Sequence, residues 1–189
     1  MKKIGRTFKA LVFTFTVMAF GGMAMAQFQY KLDPVGSSVL VKGTSSLHNW
    51  EMKAEKVSSD FMLGEDQSLE KLKSGSVVID AGSLKSEHSL MDKKAREALK
   101  QKSYPKIEAR VLRVEPASGK IVMELTIAGK TRPVTEDFYF KKPEPGKIEI
   151  SGILKVKMSD FGVEPPVAMM GAIKTGNEVS IEYSLMYQR

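Results

Sequence analysis

Residues 88–111 read HSLMDKKAREALKQKSYPKIEARV, and the periodicity of the apolar residues changes within this stretch. Ser89 and, three residues later, Asp92 form a helix-start signature. In it the Ser89 oxygen accepts from a free backbone N–H and the acid lies near the positive end of the helix dipole. The pattern predicts a short helix over residues 90–100. Its apolar residues recur at helical spacing and make one narrow stripe: Met91, Ala95, Ala98 and Leu99.

The predicted helix ends before Pro105, because the residue that precedes a proline is pushed out of helical geometry. Directly after it, apolar residues alternate with charged ones: Ile107, Ala109 and Val111 with Glu108 and Arg110. A period of two is typical of a strand with one buried face. The stretch therefore predicts a lone helix that packs against, or over the end of, a mostly antiparallel β structure.

The same alternation recurs along the chain and predicts about eight strands at regular spacing, with no βαβ repeat. A short first strand is predicted to end in a turn at residues 34–36, residues 64–76 are predicted to form a surface connection, and Gly152 is predicted to mark a bend or bulge. One apolar face per strand and short connections favour a barrel, since closure removes the sheet edges. A two-sheet sandwich would give the same alternation, so periodicity leaves both open.

The N-terminus has the pattern of a secretory leader. A basic start is followed by an uncharged apolar run over residues 10–20, and Ala24 and Ala26 flank Met25 in a small-x-small cleavage pattern. An uncleaved anchor is the alternative. We predict a signal peptide at residues 1–26 and one domain at residues 27–189. The leader holds four of the 29 basic residues and no acidic one, so its removal lowers the formal net charge from +7 to +3.

The residue inventory restricts the chemistry. The chain has no cysteine, which excludes disulfides and thiolate metal sites. Its two histidines, His48 and His88, cannot make a three-histidine zinc site. Ser89 adjoins His88, but no nucleophile-elbow motif surrounds it. We therefore predict no enzyme activity, no catalytic residues, no metal ligands and no cofactor. A net charge of +3 after cleavage is ordinary and does not indicate nucleic-acid binding.

Several motifs, taken together and in order, resemble those of the YceI-like family, also called polyisoprenoid-binding or lipocalin-like exported proteins. They cover the chain beyond the leader: YKLDP at residues 30–34, IDAGSL at 79–84, Asp92 and Leu99 in the helix, SYPKI at 103–107, LTIAGKTRPV at 125–134, and SDFG at 159–162.

The resemblance implies an all-β fold with one short helix: an eight-stranded antiparallel, lipocalin-like β-barrel closed by helical and loop segments. Its apolar lumen would hold a long polyprenyl chain, such as that of a quinone, as the only bound cofactor-like group. The segments predicted to close the mouths are the helix and residues 165–173.

The predicted lumen residues are chosen by strand parity, with two added from the helix stripe. They are Trp50, Met52, Phe61, Ile79, Met91, Leu99, Ile107, Met123, Leu125, Phe138, Phe140, Leu154, Val156, Ile181 and Tyr183. The facing of residues 39–41 and 77–79 stays open, because both parities there are apolar. Eight of the twelve methionines follow the leader, and methionine adapts easily to an irregular apolar guest. The structural alternative is an ordinary filled core.

These observations predict a periplasmic, non-catalytic carrier of a long-chain isoprenoid or similar apolar lipid. The alternative is an exported barrel with a filled core that acts as a protein-interaction or stress-response module. As partners we predict the lipid itself, no nucleic acid, at most peripheral contact with a membrane, and a monomer or homodimer.

Overall fold

The computed structural model of the chain describes residues 28–64, 68–69 and 72–189. The predicted signal peptide lies outside these residues, so it stays a prediction. Within the described part, no helix combines the length and the apolar character needed to cross a membrane.

The described residues form eleven strands, one α-helix and short 3-10 turns. The strands are β1 Phe28–Ser45, β2 Trp50–Ala54, β3 Val57–Leu63, β4 Leu72–Asp80, β5 Leu84–Lys85, β6 Lys106–Glu115, β7 Lys120–Ile127, β8 Lys130–Lys141, β9 Lys147–Lys157, β10 Val167–Ala168 and β11 Ile173–Gln188. The helix is α1, Ser89–Ala98. The 3-10 turns are Ala81–Ser83, Met158–Phe161 and Met169–Gly171.

Eight of these strands close into an antiparallel barrel. Around its wall they follow the order β1-β3-β4-β6-β7-β8-β9-β11, and β11 pairs back onto β1 from Lys31 with Gln188 to Ser45 with Thr175. Three short strands add to this wall: β2 pairs with β1, β5 pairs with β2, and β10 pairs with β11. The predicted barrel is thus confirmed over the sandwich, because the long-range pair of the first and last strands leaves no open edge between them.

Two local predictions are wrong. The predicted turn at residues 34–36 is a register shift inside the single strand β1, between Asp33 and Ser38. The connection predicted over residues 64–76 ends earlier, since β4 already begins at Leu72. Pairing with β3 extends β4 into the polar stretch, since Leu72 pairs with Leu63. Residues 34–37 fall in the gap between the two paired stretches of β1 and β11, so the turn residues produce an irregularity in the strand and do not end it.

The helix lies where the sequence predicts it, and its apolar stripe packs on the barrel core. The predicted cap is wrong. Ser89 is already the first helical residue, and the N-cap residue, His88, makes no side-chain capping hydrogen bond. The buried acid of the first turn, Asp92, instead bonds backwards to the approaching chain. Its Oδ1 accepts from the Ser86 backbone N–H and from the Ser86 hydroxyl, both at 2.8 Å, and its Oδ2 lies 3.4 Å from Lys85 Nζ.

These contacts set the charge state of Asp92, which is 4% exposed. Burial opposes the charge, but the hydrogen bonds from Ser86 and the proximity of Lys85 outweigh it, so the pKa of this carboxyl lies below its ordinary value of 3.8. The stabilisation is therefore present above pH 3.8 and is lost as the pH falls through the lowered pKa.

We expect Asp92→Ala to lower the free energy of unfolding by about 2 kcal/mol at neutral pH, because it leaves the Ser86 backbone N–H without its acceptor and removes the ion pair with Lys85. Urea unfolding followed by circular dichroism measures the change. Ser89→Ala is the matched control and should stay within about 0.5 kcal/mol of the parent protein. A loss at Ser89 as large as that at Asp92 would restore Ser89 as the cap.

Candidate binding cavity

The barrel interior is not filled by its own side chains: it holds two adjacent apolar chambers. The outer chamber has a volume of about 290 Å³ and lies between α1 and the nearby end of the barrel. The inner chamber has a volume of about 110 Å³ and lies deeper in the barrel. Ile79, Ile107 and Ile181 line both chambers, so these three side chains form the waist between them.

The outer chamber has three kinds of wall. The barrel contributes residues such as Trp50 and Met52, and the helix contributes its apolar stripe, including Ala95. The segment predicted to close a mouth supplies Pro166, Val167, Ala168 and Ile173. The SDFG motif adds Phe161, which a 3-10 turn inserts fully into the core. Nearly all of this wall is apolar.

The Trp50 ring is held against its strand partner. Gly43 pairs with Trp50 across β1 and β2, and a Cβ atom at Gly43 would overlap the indole. The indole Nε1 donates to the Thr44 carbonyl at 2.9 Å. Because glycine leaves room for the ring and the carbonyl fixes its nitrogen, Trp50 forms a positioned wall at the mouth of the outer chamber.

The rim of the outer chamber is apolar and accessible. Leu47 is 66% exposed and Leu90 is 57% exposed, and both line the mouth. His48 and His88 are also exposed at this rim. Within the described part of the chain, His, Asp and Glu nowhere converge in a group of three that could hold a metal ion.

The structure places the predicted lumen residues in two groups. Those that line the outer chamber are Trp50, Met52, Ile79, Met91, Leu99, Ile107, Val156 and Ile181. Those that line the inner chamber are Phe61, Ile79, Ile107, Met123, Leu125, Phe138, Leu154, Ile181 and Tyr183. Phe140 lines neither chamber and packs, partly buried, against the core. Their contact with a ligand stays a prediction.

The predicted set leaves out several residues that line the inner chamber, such as Val39, Ile121, Ile150 and Leu185, and the one that changes its chemistry is Glu136. Glu136 shares strand parity with Phe138, one of the predicted lumen residues, and it lines the inner chamber at 7% exposure. The alternation of residues along β8 therefore already indicated that Glu136 faces inward. Glu136 does not stand out in the sequence, because an acidic residue is seldom buried and a search for apolar residues passes over it.

Glu136 is held by one hydrogen bond. The Tyr183 hydroxyl donates to Glu136 Oε1 at 2.6 Å, whereas Glu136 Oε2 is buried and has no hydrogen-bond partner among the described residues. Burial raises the pKa of Glu136 to about 7. The Tyr183 hydrogen bond opposes this shift, and the nearby charge of Asp137 adds to it. Burial and the adjacent carboxylate also raise the pKa of Tyr183.

Gly152 makes this contact possible. It pairs with Tyr183 on one side and with Phe138 on the other. A Cβ atom at Gly152 would lie 2.6 Å from the Tyr183 hydroxyl oxygen. The register between β9 and β11 runs without a shift, so Gly152 does not mark a bulge, and the alternative, a bend, stays a prediction. The absence of a side chain instead lets Tyr183 reach across β9 to Glu136.

The other buried hydroxyls near the inner chamber are satisfied. Ser59 Oγ lies 2.7 Å from the Tyr187 hydroxyl and donates to the Ser76 carbonyl at 2.6 Å. Burial raises the pKa of Tyr187 to about 12, although its contact with Ser59 opposes the shift. Glu136 Oε2 is therefore the one buried side-chain polar atom without a partner in the described part of the chain.

Comparison with known families agrees with this architecture. The sequence model for the YceI-like domain matches residues 30–187. A search of curated proteins found no match to this chain.

Solved structures of the same fold are similar over most of the chain. BcnA of Burkholderia cenocepacia is 20% identical, with a TM-score of 0.69 over 82% of this chain and 98% of that one. A polyisoprenoid-binding domain from Saccharophagus degradans, described as implicated in plant cell wall breakdown, is 15% identical, with a TM-score of 0.65 over 84% and 97% of the two chains. The YceI protein of Campylobacter jejuni is 17% identical, with a TM-score of 0.58 over 100% and 93%.

Proposed function

This chain belongs to the YceI-like domain family, and on that premise we propose that it is a non-catalytic binding protein for a long-chain apolar lipid held in the barrel lumen. The observation that carries the proposal is the outer chamber, an apolar cavity of about 290 Å³ with an accessible mouth. An eight-stranded barrel is just wide enough to be filled by its side chains or to hold one slim ligand. Here it leaves room for a ligand.

Hydrophobic burial suffices for binding at such a site. Each methylene group removed from water contributes roughly 0.8 kcal/mol, so a chain with many carbons can bind tightly without polar contacts in the outer chamber. Specificity would then depend on the length of the two chambers and on the waist at Ile79, Ile107 and Ile181.

We propose an isoprenoid, such as a polyprenol or a quinone, as the ligand. A solved structure of the same fold is described as a polyisoprenoid-binding domain. Met52, Met91 and Met158 line the outer chamber, and methionine side chains adjust to an irregular, branched guest. The leader pattern at residues 1–26 supports a periplasmic location for the carrier, as a monomer or homodimer with at most peripheral contact with the membrane.

The proposal is tested by native mass spectrometry of the protein purified without detergent from the cells that make it, followed by organic extraction. We expect one long-chain lipid per chain, identified in the extract. If the protein is bare and stays bare after incubation with polyprenols and quinones, the carrier proposal fails, and an interaction module that works through the barrel surface replaces it.

We expect Leu154→Trp to reduce the affinity for isoprenoids of every length that reaches the inner chamber. Leu154 lines the inner chamber, so an indole there shortens the space available to a ligand. Displacement of a fluorescent lipid probe by prenols of increasing length measures the effect. Ile153→Trp is the matched control, because Ile153 is the exposed neighbour on the same strand. Unchanged affinity at every length would place the ligand entirely in the outer chamber.

A further inference from the structure

We propose that the inner chamber binds a hydroxyl group at the end of the ligand through Glu136, so that the lipid is an uncharged alcohol that enters with its hydroxyl end first. This inference rests on the proposed function and adds to it the chemical class of the ligand and its direction in the barrel. Glu136 places an acidic side chain in the wall of an otherwise almost entirely apolar chamber.

Glu136 Oε2 is buried and has no hydrogen-bond partner among the described residues. Buried polar atoms are almost always hydrogen-bonded, and one left without a partner is costly. Tyr183 satisfies only Glu136 Oε1. Oε2 exposes less than 1 Å² of surface. Glu136 lines the chamber, and the terminal torsion of a glutamate is soft, so we expect the carboxyl group to turn this oxygen towards a ligand that offers a partner.

A water molecule is a poor partner at this place. Buried waters ordinarily make about three hydrogen bonds to groups that have no other partner. Oε2 is the one such side-chain atom in the described residues, since Ser59 and Tyr187 bond to each other. A ligand hydroxyl differs from a water molecule, because burial of its apolar chain already holds the ligand in the barrel. The hydroxyl can therefore bind with a single hydrogen bond.

The chemistry of Glu136 selects a hydroxyl over other polar groups. A phosphate or carboxylate would meet a like charge in a low-dielectric site whenever Glu136 is ionised. A carbonyl or ether oxygen can only accept, so it binds only the protonated acid. A hydroxyl accepts from the protonated acid and donates to the carboxylate, and it therefore complements both forms.

No cation faces Glu136 in the chamber to change this preference. The titratable side chains that line the chamber beside it are Tyr183 and Tyr187, both on β11. Asp137, the next residue on β8, is exposed and paired with Lys120 at 2.8 Å. The strands β4, β6, β7 and β9 contribute only apolar side chains, Gly75 and Ser76 to the described chamber wall.

The test compares geranylgeraniol with its methyl ether and with the hydrocarbon of the same skeleton, by displacement of a fluorescent lipid probe. For the parent protein, we expect the ratio of alcohol affinity to hydrocarbon affinity to be at least tenfold higher than for Glu136→Leu. Glu136→Gln, which keeps donor and acceptor atoms, should stay within about threefold of the parent ratio. Glu108→Gln, at an exposed position of β6, is the matched control and should leave it unchanged.

A second measurement needs no variant. For the parent protein, the ether should bind nearly as well as the alcohol at pH 5, where the acid can donate, and at least tenfold more weakly than the alcohol at pH 9. An alcohol-to-ether ratio that is the same at both pH values overturns the inference. If all three ligands bind with no effect of Glu136→Leu on their ratios, the inference fails while the proposed function stands. If none binds, the proposed function itself fails.

Discussion

Replacing Ala95 by tryptophan is expected to lower the affinity for long-chain lipids at least tenfold. Ala95 lies on the apolar stripe of α1 and lines the outer chamber beside Met91 and Leu99. An indole at this position occupies space that the ligand would use and leaves the barrel strands unchanged. Because Ala95 is only partly buried, we expect a loss of stability of no more than about 1–3 kcal/mol.

The control for this variant is Lys93→Trp, which adds the same ring to an exposed position of the same helix. It should keep the full affinity. Lipid titration and thermal unfolding of both variants separate a blocked chamber from an unfolded helix. Full affinity in a folded Ala95→Trp protein would place the ligand outside the outer chamber and contradict the proposed function.

The second large effect is the pH dependence of stability that Glu136 causes. Its pKa is raised from 4.5 in the unfolded chain to about 7 in the barrel, chiefly by burial. As the pH rises through this window, the unfolded chain releases its proton first. Ionisation therefore lowers the free energy of unfolding between about pH 4.5 and pH 7, and the loss persists above pH 7. At 1.36 kcal/mol per pKa unit, the full loss is about 3 kcal/mol.

Urea unfolding of the parent protein and of Glu136→Gln, at pH 5 and pH 8, measures this contribution. We expect the variant to gain stability relative to the parent on going from pH 5 to pH 8. Glu108→Gln should follow the parent at both values. The Asp92 contribution does not interfere, because it is lost only below pH 3.8. A constant difference between parent and Glu136→Gln would show that Glu136 does not titrate in this window.

Local patterns predicted the elements that depend on neighbouring residues in the chain. The helix stripe from Met91 to Leu99 and the alternation around Ile107 are such patterns, and both are found in the structure. The cap at Ser89 was wrong for a tertiary reason. Asp92, which the signature assigns only to the helix dipole, contacts Lys85 at the end of β5 and Ser86 directly after it. These contacts depend on how the chain passes from β5 into the helix.

Gly152 and Glu136 show a second limit of prediction from the sequence. Each was visible as a member of the inward-facing parity, but neither role follows from its own strand. Gly152 matters because Tyr183 on β11 crosses over it, and Glu136 matters because Tyr183 satisfies one of its oxygens and not the other. Both roles depend on the register between β9 and β11, which brings together residues far apart in the chain.

By itself, the sequence determined two opposite faces for each strand with a clear alternation, because a strand turns successive residues to opposite faces whatever its neighbours are. It also determined that one helix accompanies the strands. Only the tertiary structure decided that the sheet closes as a barrel, that its interior stays open as two chambers, and that a carboxylic acid lies at the inner one. The physical reason is that closure and free volume depend on long-range strand pairing and on how side chains from opposite walls meet.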